Sequence, residues 1–272
     1  MRSFAQATAP DMATDPRGPI ESLVSQLVIP RLVHGRRRVS TGNVANGPGR
    51  RGRVQGTDVE TFVGLLLSCA DGDAAHKVES LIAAGETVDD IALFLLAPAA
   101  RSLGARWEDD TLDFAAVTTG MTRLHVLLHM MGRRYPSGAR SNGRRILIAN
   151  NPGETHAFGP LMVAEHFRRA GWDSRFDPAA TTASLARDAG AGILDAMGLS
   201  CAAERYLGDL HNCIRAIRAA ARGRPLCLMV GGNVFTGRPE LAARMGADVT
   251  AQDAPGALAA IERLLPVAAA AH

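Results

Sequence analysis

Apolar residues along this chain follow two patterns, and the change between them falls between Tyr135 and Arg144. From Thr57 to Tyr135 they recur at three- and four-residue spacing, as in helices that each bury one stripe. Val59-Glu60-Thr61-Phe62-Val63-Gly64-Leu65-Leu66-Leu67 opens the first helix, with Asp58 placed to cap it. Ala74–Ala84 forms a second, which Gly85 ends. Val88–Leu96 leads into a third element that Pro98 breaks, and the pattern resumes over Ala99–Trp107. The last helix, from about Leu112 to Met131, is apolar on more than one face. Short connections between these helices predict an antiparallel bundle.

Beyond Arg144 the pattern shifts to short continuous apolar runs, the signature of strands buried on both faces. Arg144–Asn150, Ile193–Leu199 and Leu226–Val230 are three such runs, and chemistry stands at the end of each. The first leads to Glu154-Thr155-His156-Ala157-Phe158-Gly159 and straight into a helical pattern, the second to Ser200, the third to Gly231-Gly232. In an open α/β sheet the crevice beyond the carboxyl ends of the strands is where ligands bind. The carboxylate-x-histidine spacing lets Glu154 accept a hydrogen bond from one ring nitrogen of His156 while the other faces a metal. Each piece also has a plain reading. A loop histidine can be an ordinary surface residue, Ser200 can cap a following Ala202–Ala221 helix, and Gly-Gly can be a turn. Their order at successive strand ends favours one shared site. The expected fold class is α/β: an N-terminal helical bundle cap and a C-terminal flavodoxin-like or Rossmann-like parallel sheet. The expected domains are an N-terminal arm over 1–56, the helical cap over 57–136 and the sheet domain over 143–272.

Composition narrows the class. The 272 residues allow two modest cores, and a hydrophobic fraction of 47% with mean hydropathy +0.02 is that of a soluble globular protein. No run reaches the roughly 18 apolar residues of a membrane span, and the first residues lack a secretory core, so a cytoplasmic location and no membrane partner are expected. Cys69, Cys201, Cys213 and Cys227 show neither C-x-x-C spacing nor disulfide-scaffold density, so they are read as reduced thiols. A net charge of +3 does not by itself argue nucleic-acid binding. The charge is nevertheless concentrated: Arg36-Arg37-Arg38 and Arg50-Arg51-Gly52-Arg53 flank the linker-like stretch Thr41–Gly49. This segment fits a solvated connector or an arm touching DNA weakly through phosphates. Before it, Ile20–Leu32 has the spacing of a short amphipathic helix stopped near Pro30, suited to docking.

The sheet half, from Arg144 onward, resembles the cobalamin-binding domain whose signature is Asp-x-His-x-x-Gly, then a serine, then Gly-Gly. The resemblance implies that His156 replaces the cofactor's own benzimidazole as the lower ligand of cobalt, with Glu154 standing where the family usually has aspartate. It further implies that Ser200 hydrogen-bonds the displaced benzimidazole, and that Gly159, Gly231 and Gly232 let the nucleotide tail pass close to backbone. Ala202 stands where the family has leucine. Leu103–Glu108 followed by Asp113–Val117 resembles the helical cap that precedes many such domains, which implies Trp107 over the upper face of the corrin ring. The Glu-His pair of the light-sensing branch is Val117-Thr118 here. His125 and His129, four apart on one helix face, are candidates for an upper ligand or for a polar seam between helices.

Arm, cap and cobalamin-type domain leave no barrel in which substrate chemistry would be completed, so a non-enzymatic sensor is the expected function. With the Val28–Leu32 run, the arrangement resembles the AerR/PpaA group of bacterial antirepressors, which tune photosynthesis-gene transcription in response to light or oxygen. That resemblance implies a repressor partner of the PpsR/CrtJ type, with DNA contacted only indirectly or weakly through the arginine-rich arm. Heme is the alternative cofactor, since histidine serves iron as readily as cobalt. A methyl-carrying corrinoid protein is the alternative function, and a domain that kept the fold without the cofactor is a third.

Overall fold

A computed structural model describes Val54 and residues 59–68 and 72–265. The expected arm apart from Val54, the Asp58 cap and Cys69 lie outside these residues. The helical half comprises α1 (Val59–Leu67), α2 (Asp73–Ala83), α3 (Val88–Ile91), α4 (Ala97–Glu108) and α5 (Phe114–Arg134). Its core is built from the expected stripes: Phe62, Val63 and Leu66 of α1, Leu103 of α4, and Leu124, Leu128 and Met131 of α5 are all buried. Pro98 does not break the third element. The chain passes from α3 through one π-type turn, Ala92–Leu96, directly into α4, with Pro98 in the first turn of α4. Inside a helix, proline lacks a donor and crowds the carbonyl four residues back; the wider turn immediately before it accommodates both defects. The last helix begins at Phe114 because the Asp113 carboxylate accepts the Ala116 N–H at 2.8 Å, while Leu112 N–H belongs to the previous turn through the Arg106 carbonyl.

The second half is a five-stranded parallel sheet in the order β2-β1-β3-β4-β5, from β1 (Arg145–Asn150), β2 (Asp173–Asp177), β3 (Ala196–Ser200), β4 (Cys227–Gly231) and β5 (Val249–Ala251). The connecting helices are α6 (Phe158–Arg169), α7 (Thr182–Ala191), α8 (Leu207–Ala221), α9 (Pro239–Met245) and α10 (Ala254–Leu264). Alternate residues of the three inner strands serve opposite faces. Leu147, Met197, Leu199, Leu228 and Val230 pack with α7 and α8, whereas Ile146, Ile148, Ala196 and Met229 pack with α6 and α10. Gly198 breaks the apolar run for a steric reason: a Cβ there would lie 2.7 Å from Ile148 Cδ1 and 2.9 Å from Met229 Cε.

Two strands escaped the sequence pattern. β2 and β5 are the sheet's edges, and Asp173-Ser174-Arg175-Phe176-Asp177 is nearly all polar because an edge strand is not buried on both faces. The serine-side helix is also shorter than expected. It starts at Leu207 after a single 3₁₀ turn, Glu204–Tyr206, because residues 201–203 are held elsewhere, as described below.

The two halves share a seam through α6. Phe158, Leu161 and Met162 pack into the helical core, while Ala164 and Phe167 of the same helix pack on the sheet. At its carboxyl end, Asp89 of α3 accepts hydrogen bonds from His166 and Arg169, each at 3.2 Å, and Arg169 also donates to the Tyr135 carbonyl at 2.7 Å. The Glu165 carboxylate, buried against Gly132 of α5, is paired with Arg168. The helix that follows the histidine loop is thereby fixed to both layers.

Candidate functional site

The strand order reverses at β1, whose neighbours are β2 and β3, and a crevice opens beyond such a switch point. Register places Asn150, Ser200 and Gly231 side by side along the carboxyl edge. The three strand ends singled out in the sequence are thus brought together in one row.

β1 leads into a turn closed by Glu154 N–H donating to the Asn151 carbonyl at 2.9 Å. Asn151 anchors this turn to the neighbouring strand: its N–H donates to the Ser200 carbonyl at 2.9 Å, and its side-chain amide to the Tyr206 carbonyl at 3.1 Å. The amide of Asn150 donates to the Glu154 carbonyl at 3.1 Å. The Glu154 side chain, only 1% exposed, accepts the Ala202 N–H on both oxygens, at 3.1 and 2.9 Å. A carboxylate taken out of water needs such donors. Its Oε1 also lies 2.9 Å from Nδ1 of His156.

The consequence falls on His156. With Nδ1 engaged by a buried carboxylate, the free ring nitrogen is Nε2, on a side chain 54% exposed. An imidazole held in this way presents one nitrogen outward in a fixed orientation, which is the arrangement of a metal-ligating histidine. Among the described residues no group of three or more His, Cys, Asp or Glu stands together as a metal site.

Ser200 is part-buried at the end of β3 and does not cap the next helix, which begins seven residues on. Instead the chain after it braces two partners: Cys201 N–H donates to the Gly231 carbonyl at 2.8 Å, and Ala202 N–H holds Glu154. Gly232 adopts a φ of 107°, and a side chain there would run into the Cys201 carbonyl, so only glycine fits. Gly159, exposed in the first turn of α6, has open space where a side chain would project. Cys201 is fully buried, and burial, reinforced by the Glu154 charge, pushes its thiol up to about 12. It packs in the core on the α7–α8 side of the sheet.

The cap candidates are distributed differently. Trp107, half-buried at the end of α4, meets Phe114 edge to face at 6.1 Å, and Phe114 is 47% exposed. His125 turns toward α6: its ring meets Phe158 edge-on at 5.2 Å, its Nδ1 lies 2.8 Å from the Met121 carbonyl, and burial holds its pKa below the usual histidine value. Its Nε2 is buried without a hydrogen-bond partner among the described residues. His129, one turn on, is exposed. The structure thus brings His125 beside the helix that follows His156, and leaves His129 in solvent.

Sequence reasoning missed Asn150, Asn151 and the Ala202 N–H. The two asparagines closing an apolar strand were the available signal, since both are buried and both keep an Oδ1 without a partner among the described residues. The Ala202 contribution is a backbone group, which no side-chain motif encodes.

Residues 144–262 match the B12 binding domain family. A protein of Rhodobacter capsulatus described as an uncharacterized 20.5 kDa protein in the bchF-crtJ intergenic region is 30% identical over 173 residues, covering 63% of this chain and 90% of its own. Among solved structures, the Methanosarcina barkeri monomethylamine corrinoid protein superposes with a TM-score of 0.63 over 80% of this chain and 97% of its own, at 14% identity. That likeness confirms the α/β fold of helical segments plus parallel sheet. None of these matches supports heme. The chain belongs to the B12-binding-domain proteins of the AerR/PpaA group.

Proposed function

We propose that this chain is a non-enzymatic, cobalamin-binding regulator that acts on a repressor protein of the PpsR/CrtJ type in response to light or redox state. The observation that carries the reading is the Glu154–His156 pair: a buried carboxylate with two backbone-anchored oxygens sets one ring nitrogen and leaves Nε2 free at the sheet's carboxyl edge. The residues fit a cobalamin. His156 would serve as lower ligand, and the carboxyl edges at Ser200, Gly231 and Gly232 would accept the nucleotide tail. A bound cobalamin, held by His156, would supply a cobalt centre whose ligand exchange responds to light.

What the protein's own residues contribute is transmission. Glu154 holds His156 and also the chain after β3 through Ala202, so a pull on the imidazole is felt at two strand ends. Phe158, two residues past His156, packs into the helical core beside His125. The lower-ligand loop and the cap are therefore mechanically joined. The gene position given for the Rhodobacter capsulatus relative, next to crtJ, supports a regulatory role in the same setting.

The test is binding of a purified PpsR/CrtJ-type repressor to the cobalamin-loaded chain, in the dark and after illumination or axial-ligand exchange. A change in affinity of tenfold, about 1.4 kcal/mol of coupling, is the expected scale. Equal affinity in both cofactor states would remove the switching role.

A further inference from the structure

Between α8 and α9, on the sheet face opposite α6, lies an open groove of about 630 Å³. Its accessible floor is apolar, formed by half-buried Ala216 and Met245 and exposed Ala219 over the core residue Ile214. Its rim is basic: Arg215 and Arg218 project from α8 and Arg244 from α9, with His211 one turn before Arg215. Arg218 is committed to the fold, paired with Asp248 at 2.7 Å and donating to the Leu226 carbonyl at 2.9 Å. Because Leu226 precedes β4, that end of the groove lies toward the amino ends of the strands, away from His156.

Arg215 and Arg244 are exposed and have no hydrogen-bond or ion-pair partner among the described residues, and no carboxylate lines the groove. Two unpaired guanidinium groups flanking an apolar floor are complementary to a segment that offers both carboxylates and an aliphatic side chain. Guanidinium recognises carboxylate bidentately, which adds geometry to charge. A nucleic-acid backbone would satisfy the arginines but has no use for the apolar floor.

We propose that this groove is a docking site for an acidic amphipathic helix of a protein partner, with an aliphatic side chain on Ala216, Ala219 and Met245 and carboxylates on Arg215 and Arg244. The proposal rests on the partner-binding reading above, and it places the partner contact on a face distinct from the cofactor edge.

The probe is a fluorescently labelled amphipathic helical peptide carrying leucine on one stripe and glutamate on the next, titrated with the cobalamin-loaded full chain. A second peptide with glutamine in place of glutamate is the control. The glutamate peptide binds the native chain, the glutamine peptide binds at least tenfold more weakly, and Arg215→Glu/Arg244→Glu weakens the glutamate peptide at least tenfold. The Arg215→Lys/Arg244→Lys variant, which keeps the charge and loses the bidentate geometry, binds the glutamate peptide more weakly than the native chain and more tightly than the charge-reversed one, and the cobalamin absorption spectrum is the same in all variants. Equal binding of both peptides, or no effect of charge reversal, overturns the proposal. So does a duplex DNA that displaces the peptide with the same dependence on Arg215 and Arg244, or a self-association of the chain abolished by the reversal. Failure of the regulatory reading is a separate result: the peptide binds as expected, yet repressor affinity is unaffected by cofactor state.

Discussion

The Glu154 carboxylate accepts from a ring nitrogen and from one backbone N–H. Glu154→Ala should weaken cobalamin binding by roughly 10- to 100-fold, the range typical for loss of a ligand's orienting partner, measured by titration in the visible spectrum. An unchanged affinity would mean that His156 is oriented by something else. Cysteine makes a prediction of opposite character. Burial pushes Cys201 up from 9.0 to about 12 and Cys227 from 9.0 to about 11, while Cys213 is raised as well. An unfolded chain then loses these protons at lower pH than the folded one, so the thiols' contribution to folding stability is constant below about 9 and falls as pH rises toward 12. Urea titrations across that window should show the fall, and native-state alkylation of these three thiols at neutral pH should be slow. His156 and Glu154 were legible in the sequence because their spacing sits at a strand end. Asn150 and Asn151 were not, because their work is done on backbone carbonyls of Glu154 and Tyr206 that only the folded loop brings near.

At the scale of elements, the inner strands were visible as apolar runs since both of their faces are covered, and the cap helices as stripes since one face is. β2 and β5 were invisible for the converse reason: an edge strand keeps polar residues, and β5 spans only Val249–Ala251. The π-type turn before Pro98 has no sequence signal of its own, and the proline that caused it reads as a break. The seam at Asp89 could not be foreseen, since it joins α3 to a helix 77 residues later. The hydrogen bond from His166, aided by the charge of Arg169, holds the Asp89 carboxyl below the usual aspartate value. A depressed carboxyl stabilises the fold above its unfolded pKa of 3.8, and that contribution is lost as pH falls through the lower folded value. Because Asp89 is partly exposed, Asp89→Ala should cost no more than about 1 kcal/mol. Hydrogen exchange is the sharper readout: amides of α3 and the last turn of α6 should exchange faster, and those of β1, β3 and β4 should not.

The whole molecule joins a cofactor edge to a helical cap through one shared helix, and no helix among the described residues is long and apolar enough to cross a membrane. The arginine-rich segment lies outside the described residues, and its sequence carries no recognition-helix pattern. Deleting residues 34–53 should leave the cobalamin spectrum intact while weakening an assembly with repressor and DNA, most strongly at low salt, as phosphate contacts require. Tight sequence-selective DNA binding by the chain alone would instead mark a direct transcription factor. The cofactor-linked expectations depend on one bond, from His156 to cobalt. The most direct test is the electron paramagnetic resonance spectrum of the chain loaded with reduced, paramagnetic cob(II)alamin, prepared with ordinary histidine and with histidine carrying heavy nitrogen in the ring. If His156 is the lower ligand, isotopic substitution changes the nitrogen splitting from a triplet to a doublet, and His156→Ala abolishes that change. A splitting that ignores the histidine label would leave the benzimidazole on cobalt and contradict the account.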